Sequence, residues 1–338
     1  MKIAVVTINQ PSLNSASTLL NYLKDYKVDI YGKKDLTHSL DNLITYKKLD
    51  DILPTAWEEY NAIIYILAMG AVVRKIAPLL KDKSTDPAVI VINLDLTKIV
   101  PLLSGHLGGA NRLSDILVSR LPNSINFIST ATDQTNTLAF EMLAQKRDWV
   151  IANIKPLARI SNRLINKQEV KVATYLNIFN SIPNKDNLKL IGFKDIDLNS
   201  VVIAPTTQSK DALWLAPYVY LGLGCNRDTP MEIIDKSFKL FLEKNNLSRF
   251  QIKAIASFNA KKDEIGLLEF SKKYNFPIEF YNKEDINSLE NKFSKSASTK
   301  FFGLKGVAEP SAILVSEYKE LIIPKEVYFK SVTIAGAV

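Results

Sequence analysis

The sequence is poor in the residues that most metal sites and nucleophilic sites use. Its 338 residues include one cysteine, Cys225, and two histidines, His38 and His106. A single cysteine excludes an internal disulfide and any Cys-rich zinc or iron–sulfur site. With only two histidines, the sequence also offers no cluster of metal ligands, and no metal site is expected. Because no histidine lies near Cys225 in the sequence, a packed thiol is favoured over a nucleophile.

Long apolar runs are also missing. The longest, residues 62–73, spans about a dozen residues and contains Gly70, whereas a helix that crosses a bilayer needs about 20. The apolar run that follows Lys2 stops at Asn9 and is too short for the core of a signal peptide. We expect a cytoplasmic protein without a membrane span.

The charged residues form no basic arm, although the net charge is +8. A stripe of Lys and Arg typical of nucleic-acid binding is absent, so nucleic acid is not an expected partner. A net positive field still favours an anionic ligand by steering, although a high pI is also an ordinary setting for solubility. A small anionic molecule is the expected partner.

Several apolar runs predict an α/β fold. Residues 2–8, 62–68 and 88–93 are apolar along most of their length rather than alternating, which is typical of parallel strands covered by helices on both faces. Strand and helix patterns alternate again after residue 216. We expect three parts: an N-terminal domain with an open, mostly parallel sheet (1–137), a small middle or linker domain (138–215) and a second α/β domain (216–338).

The clearest candidate for a site is the segment SGHLGGAN, residues 104–111. Glycine is scarce in this chain, yet Gly105, Gly108 and Gly109 lie close together before a helical pattern. Backbone N–H groups at the start of such a helix bind carboxylate or phosphate, unless the glycines serve only a tight turn. His106 lies between the glycines, where a neutral imidazole can act as a general base near pH 7. His38 lies in a polar loop without glycine and is not expected to act.

Two flanking segments add to this prediction. The helical pattern from Met69 onwards carries Arg74 and Lys81, and we expect its amides to form a second anion site at the same sheet edge as the glycines. TATD, residues 130–133, follows a predicted strand, which places Asp133 near the carboxyl ends of parallel strands. Each segment alone is more typical of solvated surface than of a site, and their convergence leaves both interpretations open.

The last domain contains a third glycine-bearing turn, GLGCNRDTP, residues 222–230. Thr229 is its predicted helix N-cap and Pro230 the first helical residue, so the turn is another potential anion site. Glu264 and Glu309 lie at predicted helix starts, where a carboxylate either complements the helix dipole or takes part in a site.

Taken together, these segments resemble the cobalamin-biosynthesis G family, the cobalt-precorrin-5A hydrolases. The likeness rests on motifs in the family's order: VVRKIAPLLKDKSTDPAV, LLSGHLGGANRL, TATD, LGLGCNRDTPMEII, KKDEIGLLEF, VAEPSAIL and SVTIA. It covers about residues 60–135 and 216–336. In the last domain, Asn226 and Asp228 depart from the family's pattern of a second basic residue and a glycine, which weakens that turn as a carboxylate site.

The resemblance implies opening of the ring A δ-lactone of a cobalt corrinoid precursor and release of acetaldehyde, giving cobalt-precorrin-5B. Cobalt arrives with the substrate, so the protein needs no cofactor. The implied catalytic residues are His106 activating water, Ser104 as an alternative nucleophile and Asp133 as a second candidate base. The implied substrate-binding residues are Arg74, Lys81, Gly105, Gly108, Gly109, Asn111, Arg227, Glu264 and Glu309.

Two other functions stay open at this point. A non-catalytic carrier or scaffold would use the same anion sites to pass corrinoid precursors between pathway enzymes, but would not need His106. A nucleotide-binding regulatory protein is a further alternative, although the glycine spacing fits neither a dinucleotide fingerprint nor a P-loop. Whether the chain forms a homo-oligomer or contacts pathway enzymes is also open.

Overall fold

The computed structural model describes residues 1–37, 40, 43–82, 85–129, 137–207, 209–291, 293–294 and 303–338. These residues form two compact units, Met1–Thr137 and Leu138–Val338. Within the described ranges, no helix has both the length and the apolar character needed to cross a bilayer.

The first unit is built on a seven-stranded sheet with the order β3-β2-β1-β4-β5-β6-β7. Its strands are β1 (Lys2–Val6), β2 (Lys27–Lys33), β3 (Leu43–Tyr46), β4 (Ala62–Tyr65), β5 (Ala88–Ile92), β6 (Lys98–Leu103) and β7 (Ile125–Asn126). Strands β1 to β5 are mutually parallel. The fully buried β4 and β5 show why their sequences are apolar throughout.

Helices cover both faces of this sheet. α1 (Gln10–Leu20) and α4 (Ala110–Arg120) pack on one face, and α2 (Leu49–Glu59) and α3 (Met69–Ile76) pack on the other. A separate hydrophobic cluster lies under each pair. The first unit is therefore a three-layer α/β structure.

The direction of β6 decides where the glycines lie. β6 runs antiparallel to β5, with Val89 opposite Leu103. A tight connection reverses the chain, and in it the Asn93 side chain accepts the N–H groups of Thr97 at 3.0 Å and Lys98 at 2.8 Å. β6 therefore ends beside the start of β5. We call this side of the sheet, where β1 to β5 begin, the amino edge, and the opposite side the carboxyl edge.

The second unit contains two five-stranded sheets. The first, in the order β10-β9-β11-β12-β8, has β8 antiparallel to β12 and its other pairs parallel. Its strands are β8 (Val150–Asn153), β9 (Val170–Thr174), β10 (Leu188–Ile191), β11 (Ser200–Ile203) and β12 (Leu213–Ala216).

The second sheet of this unit has the order β15-β14-β13-β17-β16, in which β13 to β15 are parallel and β16 and β17 are antiparallel additions. Its strands are β13 (Val219–Cys225), β14 (Ile252–Phe258), β15 (Ile278–Tyr281), β16 (Leu321–Tyr328) and β17 (Val332–Ala337). The helices of the unit are α5 (Phe140–Lys146), α6 (Leu157–Ile165), α7 (Leu176–Ser181), α8 (Met231–Lys244), α9 (Ile265–Tyr274), α10 (Lys283–Ser288) and α11 (Ala308–Val315).

Charged groups connect the two sheets of the second unit. Lys253 Nζ lies 2.8 Å from the Asp148 carboxylate. The Glu320 carboxylate accepts the amides of Leu176 at 3.2 Å and Asn177 at 2.7 Å, at the start of α7. These bonds help to make one compact unit out of two sheets.

The predicted fold class is confirmed: the protein is a mixed α/β structure in which parallel strands predominate. The middle region, which the sequence predicted only as a small or linker domain, contains short strands of four or five residues that form a mostly parallel sheet. Lys-rich and Asn-rich connections between these strands hide the pattern in the sequence. The boundaries of a separate middle domain stay a prediction.

Candidate active site

Residues 104–109, which we call the glycine turn, join β6 to α4 at the amino edge. The helix predicted after the glycines begins at Ala110, with Gly109 as its N-cap at φ +85°. Three amides at the end of the turn donate back to carbonyls at its start: Gly109 to His106 at 3.0 Å, Ala110 to Ser104 at 3.2 Å and Asn111 to Gly105 at 3.0 Å. The turn therefore holds its own shape.

These bonds correct the expected anion site. The backbone N–H groups of this turn were predicted to bind an anionic group, but the Gly109 amide donates inside the turn. The Gly108 amide donates no hydrogen bond to any residue that the structure describes. The cause is the tight self-closing geometry, which uses N–H groups that a wider loop would leave exposed.

Close approach to Ser104 requires glycine at position 108, whereas the neighbour of Gly105 is the end of a side chain that can move. A Cβ at Gly108 would lie 2.4 Å from Ser104 Cβ and 2.8 Å from the Ser104 carbonyl oxygen. A Cβ at Gly105 would lie 2.8 Å from Asn111 Oδ1. The glycine cluster thus has a packing cause as well as any functional one.

Ser104 has an unusual backbone conformation at φ +55°. Non-glycine residues with positive φ are uncommon, and they cluster at tightly constrained or functional positions. Its hydroxyl donates to the carbonyl oxygen of Asp86 at 3.0 Å. Action as a nucleophile would require that bond to be given up.

His106 lies half-buried in the glycine turn. Its carbonyl oxygen accepts the Gly109 amide, which fixes the backbone that carries the ring. Asp133, the second candidate base, and His38, which is not expected to act, both lie outside the described residues.

Lys81 lies at the same edge as the glycine turn. Its amide donates to both carboxylate oxygens of Asp86, at 3.2 and 3.1 Å, and Asp86 directly precedes Pro87 and β5. The Lys81 side chain is exposed, and no ion pair joins its ammonium to a described carboxylate. The Lys81 backbone is thus linked through Asp86 to Ser104 of the glycine turn, and contact of its ammonium with substrate stays a prediction.

Arg74 does not join this group, contrary to expectation. α3 follows β4, so it begins at the carboxyl edge, and Arg74 Nη1 donates back to the Gly70 carbonyl at 2.9 Å. The guanidinium therefore lies near the carboxyl edge, opposite to the glycine turn. The prediction of two anion sites on one edge is wrong because β6 is antiparallel.

The carboxyl edge has a cavity of its own, of about 620 Å³. It lies where strand order reverses between β1 and β4, the usual ligand position in open α/β sheets. Its lining is mostly apolar and contains one charged group, Asp95, whose pKa is held below its usual range chiefly by a hydrogen bond from the Thr97 hydroxyl. A carboxylate with no cation does not suit a polyanionic ligand.

Arg227, in the turn after β13, is already engaged. Its guanidinium donates to Asp263 at 2.7 Å through each terminal nitrogen and to Glu264 Oε1 at 2.9 Å. These carboxylates hold the guanidinium and raise its pKa further. A substrate carboxylate that binds Arg227, as predicted, would therefore have to compete with Asp263 and Glu264 for the guanidinium.

Glu264 is buried, with 3% of its surface exposed. It accepts hydrogen bonds from Arg227, Lys261 and the Asp228 amide. Burial raises its pKa, but the bonds from Lys261 and Arg227 outweigh this and hold the pKa below its usual range. The protein's own carboxylate thus occupies the anion position predicted at this turn.

The surface next to this cluster is acidic. A cavity of about 470 Å³ there is lined by five carboxylates and one guanidinium: Arg227, Asp228, Glu232, Asp263, Glu264 and Glu269. Such a lining repels a polyanion. The departures seen in the sequence at Asn226 and Asp228 agree with this weaker anion site.

Glu309, at the start of α11, is also an internal acceptor. With 3% exposed, its carboxylate accepts the Ser294 amide and hydroxyl, both at 2.8 Å, and the Lys325 amide at 2.9 Å. Burial raises its pKa, but these bonds prevail and lower it. These bonds join a loop and β16 to α11, and the contact of Glu309 with substrate stays a prediction.

Cys225 ends β13 and is half-buried. Burial raises the pKa of its thiol to about 11. A thiol that stays protonated at neutral pH is a poor nucleophile, in keeping with the predicted packing role. In the part of the chain that the structure describes, no group of three or more His, Cys, Asp or Glu could hold a metal ion.

Comparison with known proteins decides the family. The sequence model described as Cobalamin synthesis G N-terminal matches residues 51–133, and the one described as Cobalamin synthesis G C-terminus matches residues 219–337. A relative from Priestia megaterium, "Cobalt-precorrin-5A hydrolase", is 30% identical over 296 residues, covering 81% of this chain and 78% of the relative. The chain belongs to the cobalamin synthesis G family.

Two further members of the cobalamin synthesis G group are similar. A protein of the same name from Salmonella typhimurium is 31% identical over 274 residues and covers 78% of each chain. A crystal structure of a cobalamin biosynthesis protein G homologue from Sulfolobus solfataricus is 24% identical, with a TM-score of 0.41 over 99% of this chain and 96% of that one. The glycine turn lies within the matched N-terminal family region.

Asp86 is the residue near the glycine turn that the sequence prediction missed. It lies in the STDPAV segment that carries the family resemblance, where Asp-Pro directly precedes a buried strand. A residue that precedes proline has a restricted backbone, so a polar residue between a loop and a buried strand is held in a defined position. This pattern in the sequence was the available signal for Asp86.

Proposed function

We propose that this chain is a cobalt-precorrin-5A hydrolase of cobalamin biosynthesis. Membership in the family carries the proposal, together with the shared name of relatives that are 30% and 31% identical over most of the chain. In the finer form proposed here, the enzyme opens the ring A δ-lactone and releases acetaldehyde to give cobalt-precorrin-5B. Cobalt belongs to the substrate, so the protein supplies no cofactor.

The amino edge of the first unit is the proposed catalytic site. His106 stands on a turn whose backbone is fixed by its own hydrogen bonds, and the exposed ammonium of Lys81 lies at the same edge. The many acetate and propionate groups of a corrinoid suit such a cation. The carboxyl-edge cavity contains Asp95 and no cation in its lining, and the surface beside Arg227 is lined by five carboxylates.

The chemistry proceeds in two redox-neutral steps. His106 takes a proton from water, whose oxygen attacks the lactone carbonyl carbon while the Gly108 amide donates to the oxyanion. The ring C–O bond then breaks and the departing oxygen takes up a proton, which leaves a carboxylic acid and a hydroxyethyl group.

In the second step a base removes the hydroxyl proton, the C=O bond of acetaldehyde forms and the bond to the macrocycle breaks. The electron pair passes to the macrocycle, which is then protonated. Asp133 is the second candidate base for this step.

Incubation of the full chain with cobalt-precorrin-5A tests the proposed function. We expect one acetaldehyde per substrate consumed, measured by its NADH-dependent reduction with alcohol dehydrogenase, and none with heat-denatured protein. Binding of the corrinoid without acetaldehyde would instead identify a carrier or scaffold.

A further inference from the structure

Asp86 connects two parts of the amino edge that are far apart in the sequence. Its carboxylate accepts the Lys81 amide at 3.2 and 3.1 Å, and its carbonyl oxygen accepts the Ser104 hydroxyl at 3.0 Å. One residue therefore holds the segment that carries the exposed ammonium and the first residue of the glycine turn.

Asp86 is itself held in place by its neighbours. Asp86 is 7% exposed, its amide donates to the Asp82 carbonyl at 2.8 Å, and Pro87 and the fully buried β5 follow it. A carboxylate is costly to bury unless hydrogen bonds satisfy it, and the Lys81 amide supplies two contacts. The geometry therefore fixes where the Lys81 backbone lies relative to β5.

The hydrogen bond from the Ser104 hydroxyl to the Asp86 carbonyl connects Asp86 to the glycine turn. The Ser104 carbonyl accepts the Ala110 amide at 3.2 Å, so the place of Ser104 also sets the first turn of α4. Its left-handed backbone at φ +55° leaves little freedom for a second arrangement. Asp86, Ser104 and α4 thus form a continuous chain of contacts.

We propose that Asp86 is a positioning residue, which holds the Lys81 backbone beside the glycine turn and so keeps the Lys81 ammonium within reach of a carboxylate of the bound corrinoid. This inference rests on the proposed function. Asp86 does not touch the substrate; its carboxylate acts through Lys81, and its main-chain carbonyl acts through Ser104.

The two contacts can be separated by substitution. Asp86→Ala removes the carboxylate but leaves the main-chain acceptor for Ser104. Asp86→Asn keeps one side-chain oxygen that can accept the Lys81 amide, and so is the conservative variant. If Asp86→Ala does not fold, Asp86→Ser takes its place, because its hydroxyl is too short to reach the Lys81 amide.

The decisive experiment is a double-mutant cycle on the dissociation constant of cobalt-precorrin-5A, followed by quenching of tryptophan fluorescence. We expect Lys81→Ala to raise Kd about tenfold, Asp86→Ala to raise it about three- to tenfold, and Asp86→Asn to stay within about twofold of wild type. In the Lys81→Ala background, Asp86→Ala should change Kd by less than about twofold.

Equal effects of Asp86→Ala in both backgrounds would overturn the positioning role, since they would show a structural effect independent of Lys81. An unchanged Kd in Asp86→Ala would overturn it as well. If wild-type protein binds the corrinoid without releasing acetaldehyde, only the proposed hydrolase activity is refuted. The double-mutant cycle on Kd then still tests the role of Asp86. Wild-type protein that does not bind the corrinoid overturns both proposals.

Discussion

Replacement of His106 by alanine is expected to reduce acetaldehyde release by about a hundred- to ten-thousandfold, the usual contribution of a general base. The imidazole is the proposed acceptor of the water proton, and alanine leaves no group to take it. The backbone bond from Gly109 to the residue 106 carbonyl is retained in the variant, so the turn should keep its shape. The Kd for the corrinoid should change by less than about tenfold, or about 1.4 kcal/mol.

The chain offers a matched control for this experiment, because His38 is its other histidine. His38→Ala should leave the rate of acetaldehyde release within about twofold of wild type, since one imidazole is proposed to do the chemistry. Turnover by His106→Ala at the wild-type rate would remove His106 from the mechanism. The folded state of both variants is checked by their melting temperatures.

Substitution of Gly222 by alanine should strongly destabilise the second unit. A Cβ on this β13 residue would lie 1.8 Å from the Ala308 carbonyl oxygen and 2.6 Å from the Ala312 amide nitrogen. Both are backbone atoms of α11, so no change of rotamer relieves the overlap. Overpacking of a core usually costs about 1–3 kcal/mol, and we expect at least about 3 kcal/mol here. For a unit of this size, that lowers the melting temperature by about 6–12 °C.

Gly224, two residues further along the same strand, is the control. A Cβ there would lie 2.5 Å from Thr333 Oγ1, a side-chain atom that can move. Gly224→Ala should therefore cost about 1 kcal/mol, well below the cost at Gly222. Calorimetry of the two variants compares them, and equal melting temperatures would contradict the proposed close packing of β13 on α11.

The sheet strands of the first unit could be predicted because burial on both faces leaves a simple trace in the sequence. β4 and β5 are apolar throughout and are fully buried. The direction of β6 left no such trace, because β6 is half-buried and short apolar segments do not encode orientation. The turn at Asn93, with Asp95 and Thr97 beside it, was the available signal for a hairpin.

The error in direction had a chemical consequence. A parallel β6 would have placed the glycine turn beside the start of α3, so that Arg74 and the glycines shared one edge. The antiparallel strand instead brings Lys81 to the turn and leaves Arg74 near the opposite edge. The candidate residues could thus be read from composition and motif, but their grouping required the strand order.

Hydrogen bonds and ion pairs between residues far apart in the sequence could not be predicted either. Arg227 and Glu264 are 37 residues apart, and only the parallel arrangement of β13 and β14 brings their loops together. From the sequence alone, a basic residue after a glycine-bearing strand favours an anionic ligand, and nothing shows that the anion is internal. The internal partners of Glu309 lie 15 and 16 residues away, and the sequence alone does not indicate them.

Hydrogen–deuterium exchange with bound corrinoid tests most directly whether the amino edge is the binding site. Wild-type protein is compared with and without saturating cobalt-precorrin-5B, the product of the proposed reaction. We expect slower exchange in peptides that cover Leu80–Asp82 and Ser104–Leu113, and unchanged exchange in those that cover Ile66–Ala68 and Ile92–Asp95 at the carboxyl-edge cavity. Protection of the carboxyl-edge peptides alone would contradict the account.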